Sequence, residues 1–493
     1  MRFGPAIALA AIWLLIPCSI ASLGAAGTPL IDAVRSRDAD RVKSLVKARA
    51  DVNAPQGDGS TALQWAVHLD DVTLVDYLLE SGARVDTAND LGVTPLYISC
   101  TNRNGALTER LLKAGANPNA ALPNGETVLM NCARTGSAQG VRTLLAKGAR
   151  VNDKETAHDQ TALMWAAAQG QSEAVAALVK AGADLRARSR VYQQTVTSEV
   201  TQRAGREELN YNVPRGGMTP LLFAARSGDA ESVRILVDAG ADKNEMMPDG
   251  TPALTLAAYS GHTEAATMLL EKGADPNAAE VGFTALHAAV LRRDIQLLRT
   301  LLKFKANPSA RMTKGTPMRR TSQDFDLPVV YLGATPFALA ARFVEAEMVR
   351  ELAKAGADTS IGLADGATPL MLAAGHGFVA NADRRGLSIN DGGRIEGENR
   401  VVETVTALLD LGADVSATRK GGETALHVAT QRGYNQVIKL LVSKGADVNA
   451  RNANGQTALG LIASRTGRTE NRRGQSEERE STAELLRSLG ATE

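Results

Sequence analysis

The chain has 493 residues, a formal net charge of +1 and only 4% aromatic residues. So small a charge excludes a global electrostatic attraction to nucleic acid or to an anionic membrane surface. The length alone predicts about three globular domains. The 45 glycines suit many short helices separated by turns instead.

The N-terminus has the plan of an exported protein. Arg2 precedes an apolar run over residues 6–16, and a small-residue tract follows over residues 19–27. This order predicts a secretory signal peptide, because the apolar run is too short to span a membrane comfortably. Cleavage after Ala21 or Ala26 fits the tract, and we favour Ala26. A retained N-terminal anchor is the alternative.

One stretch, GETALHVATQRGYNQVIKLLVSKGADVNA from Gly422 to Ala450, recurs along the remaining chain. Thr424 is suited to cap a helix, and the apolar residues after it have helical spacing. Gly433 marks a turn before a second apolar helix, and Gly445 stands where a helix C-cap favours positive φ. Copies begin at Thr28, Thr61, Thr94, Thr127, Thr161, Thr219, Pro252, Thr284, Thr335, Thr368, Thr424 and Thr457.

The repeat resembles the ankyrin repeat, which has a T-P-L-H-x-A signature and about 33 residues. The resemblance implies an all-α repeat solenoid of about twelve units, each a helix-turn-helix with a β-hairpin loop, over residues 27–493. Three positions depart from the pattern, because Pro252 replaces the marker threonine and Arg49 and Lys305 replace the C-cap glycine. We expect these copies to lose their capping locally without breaking the array.

The first of four insertions covers residues 186–216. Its segment VYQQTVTSEV alternates β-branched and polar residues, which indicates a longer hairpin between two repeats. A solvated loop is the simpler interpretation. Long loops on a rigid scaffold often carry function, so Tyr192 and Tyr211 are candidates for contact with a partner.

The other insertions lie near residues 311–332, 376–400 and 465–481. The second contains the further candidates Arg319, Arg320 and Phe325. The third has oxygen-rich residues, but their spacing does not match a calcium loop. The last is charged, and we expect it to be mobile.

The position between His and Ala in the T-P-L-H-x-A frame predicts a binding surface. We call its successive members the inner-helix column and expect them on the exposed side of the first helices. Leucine is ordinary there, whereas Trp65, Trp165 and Phe223 are large aromatic anchors of the kind found in binding hot spots. Ile98 completes the proposed surface. The alternative is that the rings only fill space between neighbouring loops.

No catalytic or metal-binding motif occurs in the chain. The resemblance implies that His287 and His427, in Thr-Ala-Leu-His, form hydrogen bonds between loops. Cys100 and Cys132 fall on small positions of adjacent first helices but not on equivalent ones. We therefore expect packed thiols and no disulfide. Pro17 before Cys18 is a poor fit to lipoprotein attachment.

Together these observations predict a signal peptide over residues 1–26 and a non-catalytic protein-binding scaffold without cofactor or metal. We expect an exported monomer, periplasmic or secreted, that binds a protein and no nucleic acid. A signal peptide on a chain of repeats fits a bacterial cell envelope. The alternatives are a secreted effector that binds host proteins and an accessory or inhibitory subunit of an envelope enzyme.

Overall fold

A computed structural model describes residues 28–198, 209–315, 331–376, 398–466 and 473–492. The chain divides into two compact units, residues 1–123 and 124–493. In both units the described residues form short helices in successive pairs. The prediction of an all-α repeat solenoid is confirmed. The signal peptide predicted over residues 1–26 lies outside the described residues and stays a prediction.

The first unit contains three helix pairs among its described residues. They are α1 (Pro29–Arg35) and α2 (Ala39–Lys47), α3 (Ala62–His68) and α4 (Val72–Glu80), and α5 (Pro95–Thr101) and α6 (Gly105–Lys113). Within each pair the two helices pack on each other, and the first helices of successive pairs are also in contact.

The second unit continues the pattern. Its helices are α7 (Val128–Thr135), α8 (Ala138–Ala146), α9 (Ala162–Ala168), α10 (Ser172–Lys180), α11 (Pro220–Ser227), α12 (Ala230–Asp238), α13 (Ala253–Ser260), α14 (Thr263–Glu271), α15 (Ala285–Arg292), α16 (Ile295–Lys303), α17 (Pro336–Arg342), α18 (Ala346–Lys354), α19 (Pro369–Ala373), α20 (Asn399–Asp410), α21 (Ala425–Arg432), α22 (Asn435–Ser443), α23 (Ala458–Thr466) and α24 (Arg473–Ser488). Two strands, β1 (Tyr192–Ser198) and β2 (Leu209–Arg215), lie between α10 and α11.

The marker threonines start the first helices as the sequence predicts. Thr61 shows the full capping box: its Oγ1 accepts a hydrogen bond from the Gln64 N–H at 3.4 Å, and Gln64 Oε1 accepts one from the Thr61 N–H at 2.7 Å. Gln64 also donates through Nε2 to the carbonyl oxygen of Val93, 29 residues later, at 2.6 Å. One side chain therefore caps its own helix and fixes the next loop.

The core lies between the paired helices. In α3 the side chains of Leu63 and Val67 are buried, and in α4 those of Val75 and Leu78 are buried. Burying one such side chain contributes roughly 1.5–3 kcal/mol. Because each helix is too short to be stable alone, this burial between neighbours is what holds the repeats together.

The expectation of lost capping is wrong at Arg49 and Lys305 and correct at Pro252. Arg49 and Lys305 adopt left-handed φ values of 66° and 65° and keep the hydrogen bonds that end the helix. The Lys305 N–H donates to Leu302 O at 3.0 Å, as the Gly445 N–H donates to Val442 O at 3.0 Å. Pro252 starts α13 without a side-chain cap.

The first insertion forms the predicted hairpin, with β1 antiparallel to β2 from Tyr192↔Arg215 to Ser198↔Leu209. The insertion near residues 376–400 separates α19 from α20. The last insertion is shorter than predicted. Helix α24 begins at Arg473, so the charged residues 473–481 continue the final helix toward its N-terminus. Apart from Gly474, this segment consists of Arg, Gln, Ser and Glu, whose helix propensities allow the helix to extend over it.

Candidate functional site

The inner-helix column is less exposed than the sequence predicts. In the first unit Trp65 and Ile98 are half-buried, and in the second unit Trp165 is half-buried. Most other described members of the column are buried, namely Asn131, Phe223, Leu256, Ala288, Leu339, Leu372 and Val428. First helices pack side by side along each unit, and this contact covers the column wherever the side chain fits between them.

The prediction of an exposed side chain is most clearly wrong at Phe223, which is only 4% exposed. Helix α11 packs on α9 and α13, its first-helix neighbours, and on α12. The Arg226 guanidinium lies over the Phe223 ring, with its central carbon 5.0 Å from the ring centroid. Phe223 is therefore a packing residue in this structure, and a role in binding a partner stays an untested prediction.

Trp65 is a half-exposed ring held by polar neighbours. The Arg35 guanidinium lies over the ring at 4.8 Å, and the His68 ring meets it edge-on at 5.6 Å. The indole Nε1–H donates to Gln56 Oε1 at 3.2 Å. Arg35 comes from the last turn of α1, so the preceding repeat supplies the cation that orients the ring.

Trp165 repeats this arrangement with one difference. The Arg134 guanidinium, from the last turn of α7, lies over the ring at 5.1 Å. Arg134 itself is held by Glu126 at 3.2 Å and by Asn131 at 2.9 Å. The indole Nε1 is buried and has no hydrogen-bond partner among the described residues. An unpaired buried N–H costs roughly 1–3 kcal/mol.

The missing acceptor at Trp165 has a local cause. Glu155 occupies the loop position that Gln56 holds in the earlier repeat. Its carboxylate instead accepts hydrogen bonds from the N–H groups of Ala157, His158 and Gln160, at 2.7–2.9 Å. The loop is stabilised by these bonds, and the indole is left without the partner that Trp65 has.

The hairpin of the first insertion is the most exposed part of the candidate surface. Tyr192 is 52% exposed and follows Val191, which is 49% exposed. Tyr211 lies opposite Val196 in the sheet, and its side chain is not among those described. Sequence reasoning did not single out Val191, although an apolar residue at the start of an exposed strand is a usable signal.

Arginines fix the base of this hairpin. Arg188 donates to Gly217 O at 2.7 Å and to Glu245 Oε1 at 2.9 Å. Arg190 binds both carboxylate oxygens of Asp159, at 2.9 and 3.1 Å. Burial raises the pKa of Glu245, and the hydrogen bond from Thr219 and the charge of Arg188 oppose that effect.

The remaining predicted binding residues cannot be placed. Arg319, Arg320 and Phe325 lie outside the described residues, as does the oxygen-rich part of the third insertion. Among the described residues no group of three or more His, Cys, Asp or Glu could hold a metal ion. None of the helices in the described part of the chain is both long and apolar enough to cross a membrane.

The histidines of the T-P-L-H motif serve the fold. His287 Nδ1 accepts from the Thr284 N–H at 3.2 Å, and its Nε2 lies 3.2 Å from Ala334 O. His427 makes the same contacts with Thr424 and Gln456. Burial lowers the pKa of His287 to about 4 and also lowers the pKa of His427. Both rings are thus neutral hydrogen-bonding groups near neutral pH.

The expectation of packed thiols is wrong. Cys100 and Cys132 are both disulfide-bonded. Position in the repeat frame is a poor guide to the oxidation of a cysteine, because disulfide formation depends on the distance between Cβ atoms and not on equivalence in the repeat.

Comparisons with known proteins identify the same repeat. The family model described as ankyrin repeats (3 copies) matches residues 30–121, 102–189, 203–280, 221–312 and 396–473. Among solved structures, the chain is similar to the human ASB11 ankyrin repeat domain, at 24% identity and a TM-score of 0.40. That match covers 50% of this chain and 99% of the other. A comparison with curated protein sequences finds no significant match.

Proposed function

The chain belongs to the ankyrin-repeat family, and from that premise we propose that it is a non-catalytic scaffold that binds a partner protein in the bacterial cell envelope. Ankyrin repeats generally mediate protein–protein interaction and are typically non-catalytic. The fold itself does not select a partner. The proposal therefore rests on particular side chains.

The half-exposed tryptophans carry the proposal. Trp65 in one unit and Trp165 in the other stay partly in solvent, although most described positions of the same column are buried. Large aromatic rings are favourable anchors for a partner because they bury much area with little loss of side-chain entropy. Arg35 and Arg134 lie against these rings and add hydrogen-bond donors, which are also common in hot spots.

Export is supported by two independent features. The N-terminal residues 1–26 have the charged, apolar and small-residue order of a signal peptide. Cys100 and Cys132 are disulfide-bonded, and structural disulfides persist in oxidising compartments such as the periplasm. We propose that the mature protein begins at residue 27 and acts in the periplasm as a monomer without contact with nucleic acid.

Site-specific crosslinking in the native envelope tests this function. A photo-crosslinking amino acid replaces Trp65, Trp165 or, as a matched control, Leu411, which is an exposed apolar residue at the end of α20. We expect the same partner protein to be crosslinked from a tryptophan position and not from Leu411. Equal adducts from all three positions would show that the column is not a binding surface.

Substitution gives the complementary test. Trp165→Ala and Trp65→Ala should each leave the helical circular dichroism intact and weaken capture of the crosslinked partner at least tenfold, whereas Leu411→Ala should not. Recovery of the same partner at unchanged yield by the double variant would contradict the proposal. The partner's origin separates an envelope scaffold from a host-directed effector or an enzyme subunit.

A further inference from the structure

The finger hairpin, defined as β1 and β2 with their base at residues 188–191 and 216–218, is held in a fixed position. Arg190 ties it to the preceding loop through Asp159, and its N–H donates to His158 O at 2.6 Å. Arg188 ties it to the following loop through Glu245. Because both neighbours hold the base, the edges of the two strands have a defined place on the surface.

The two edges of the finger hairpin differ. Pro214 lies opposite Gln193 and has no N–H to donate. A proline within a ladder is placed where its nitrogen faces away from the neighbouring strand, so the pair Gln193↔Pro214 is one whose backbone groups point outward. Alternation along the ladder then puts the N–H and C=O groups of Gln193, Thr195 and Thr197 on the outer edge of β1.

The outer edge of β1 lacks the usual protection. Natural edge strands are blunted by lysine, proline, bulges or a covering element. Strand β1 reads Tyr-Gln-Gln-Thr-Val-Thr-Ser, without charge or proline, whereas β2 ends in Pro214 and Arg215. Within the described residues the sheet has only these two strands. Proline and arginine thus protect the edge of β2, whereas no third strand among the described residues pairs with the edge of β1.

An apolar patch adjoins the start of this open edge. Val191 and Tyr192 are exposed, and Met246 in the next loop is 37% exposed. A Cβ added at Gly217 would meet Val191 Cγ2 at 3.0 Å and Pro248 Cγ at 2.3 Å. Gly217 therefore lies between Val191 at the base of the hairpin and Pro248 in the next loop. Val191, Tyr192 and Met246 are three of the five exposed large hydrophobic residues in the described part of the chain.

We propose that the outer edge of β1 binds an extended segment of a partner protein as an added antiparallel strand. The proposal rests on the protein-binding function above and names the kind of segment bound. Outward groups on alternate residues lie roughly 6.8 Å apart, a spacing that an extended backbone matches. The segment is uncharged, because β1 has no charged side chain to pair with it, and it has an apolar residue near its C-terminal end that covers Val191 and Tyr192.

A second copy of the chain fits this edge less well. Two β1 strands paired antiparallel about Thr195 would place Tyr192 of each copy opposite Ser198 of the other. The apolar patch at the base would then face a small polar residue and stay exposed. A segment of a partner protein with its own apolar residue at that end covers the patch. For this reason the edge fits a partner segment better than a second copy of the chain.

A matched pair of proline variants tests the proposal. Thr195→Pro removes an outward N–H from β1, and Asn212→Pro removes an outward N–H from the other edge at the residue directly opposite. Both variants also lose the hydrogen bond between Thr195 Oγ1 and Asn212 Oδ1. Any loss of hairpin stability is therefore common to both variants. They differ only in which strand edge, that of β1 or that of β2, loses its outward N–H.

The probe is a phage-displayed library of random twelve-residue peptides, selected on the full chain. Binding of labelled synthetic copies is then measured by fluorescence anisotropy. We expect uncharged peptides with alternating β-branched residues and a C-terminal apolar residue. Their affinity should fall at least tenfold with Thr195→Pro and with Tyr192→Ser, and less than twofold with Asn212→Pro.

Several results would overturn the proposal. These are a failure to enrich any peptide, an equal loss in both proline variants, and self-association of the chain that Thr195→Pro abolishes. Peptides lost with Trp165→Ala but unaffected by Thr195→Pro would also overturn it. That last result would leave the proposed protein-binding function intact, so the two failures are distinguishable.

Discussion

The buried ring of His287 makes the stability of the second unit depend on pH. The ring accepts a hydrogen bond at Nδ1 from Thr284 and donates from Nε2 to Ala334 O. A protonated ring could not accept at Nδ1, and it would carry a charge at a fully buried position. Burial accordingly lowers the pKa from 6.5 to about 4.

The lowered pKa determines whether acidification raises or lowers the folding stability. Below pH 6.5 the unfolded chain binds a proton at this histidine that the folded chain does not bind until about pH 4. The contribution to folding stability is therefore complete above pH 6.5 and is lost as the pH falls toward 4. At about 1.36 kcal/mol for each unit of pKa difference the full loss is about 3 kcal/mol, and most of it has occurred at about pH 4.5.

Another repeat of the chain shows which residue can replace His287 without loss of its hydrogen bonds. Gln64 holds the same frame position in α3, accepts from the Thr61 N–H through Oε1 and donates to Val93 O through Nε2. His287→Gln should therefore keep both hydrogen bonds and remove only the titration. We expect it to cost little stability at pH 7 and to be more stable than the natural chain at pH 4.5 by about 2 kcal/mol.

Urea unfolding followed by circular dichroism at pH 7 and pH 4.5 measures this difference. Hydrogen exchange in α15, corrected for the intrinsic rate at each pH, shows whether the loss is local to the repeat. All other residues are identical in the two proteins, so their contributions cancel in the comparison. An identical loss of stability on acidification in the natural chain and in His287→Gln would refute the argument.

Three further predictions concern capping and oxidation. Lys305→Gly should raise the free energy of unfolding by up to about 1 kcal/mol, because lysine is strained at a φ of 65°. Urea titration measures this change. Gly445→Lys should lower the free energy of unfolding by a similar amount. Pro252→Thr should add the missing cap of α13 and stabilise by about 1 kcal/mol, and an unchanged midpoint would contradict this. Alkylation of the denatured mature protein should detect no thiol before reduction and two after it, Cys100 and Cys132, and two alkylated thiols without reduction would contradict the oxidised state.

The elements of the fold follow from local rules that the sequence displays directly. Thr61 and Thr284 start helices because a hydroxyl can accept from the third N–H of the helix. The hairpin follows from alternating β-branched residues in β1. These signals need only a few neighbouring residues, so the sequence alone predicts the helix starts and the hairpin.

The candidate site depends on contacts that local rules do not contain. Trp165 and Phe223 occupy the same frame position, yet one is half-buried and the other buried. Their exposure depends on how neighbouring helices of each unit fill the space around the ring. The cations over the tryptophans come from the preceding repeat, about 30 residues away. A search for basic residues at that spacing would have found Arg35 and Arg134.

The hydrogen bond between His287 and Ala334 also has a consequence for protein engineering. The equivalent bond spans 29 residues from His427 to Gln456 and 47 residues from His287 to Ala334. The extra 18 residues (47 − 29) fall within the insertion near residues 311–332, and the same two groups still meet. Chain length at this point is thus uncoupled from the stacking of the helices on either side. A fluorescent or enzymatic reporter grafted here should fold without disturbing the array.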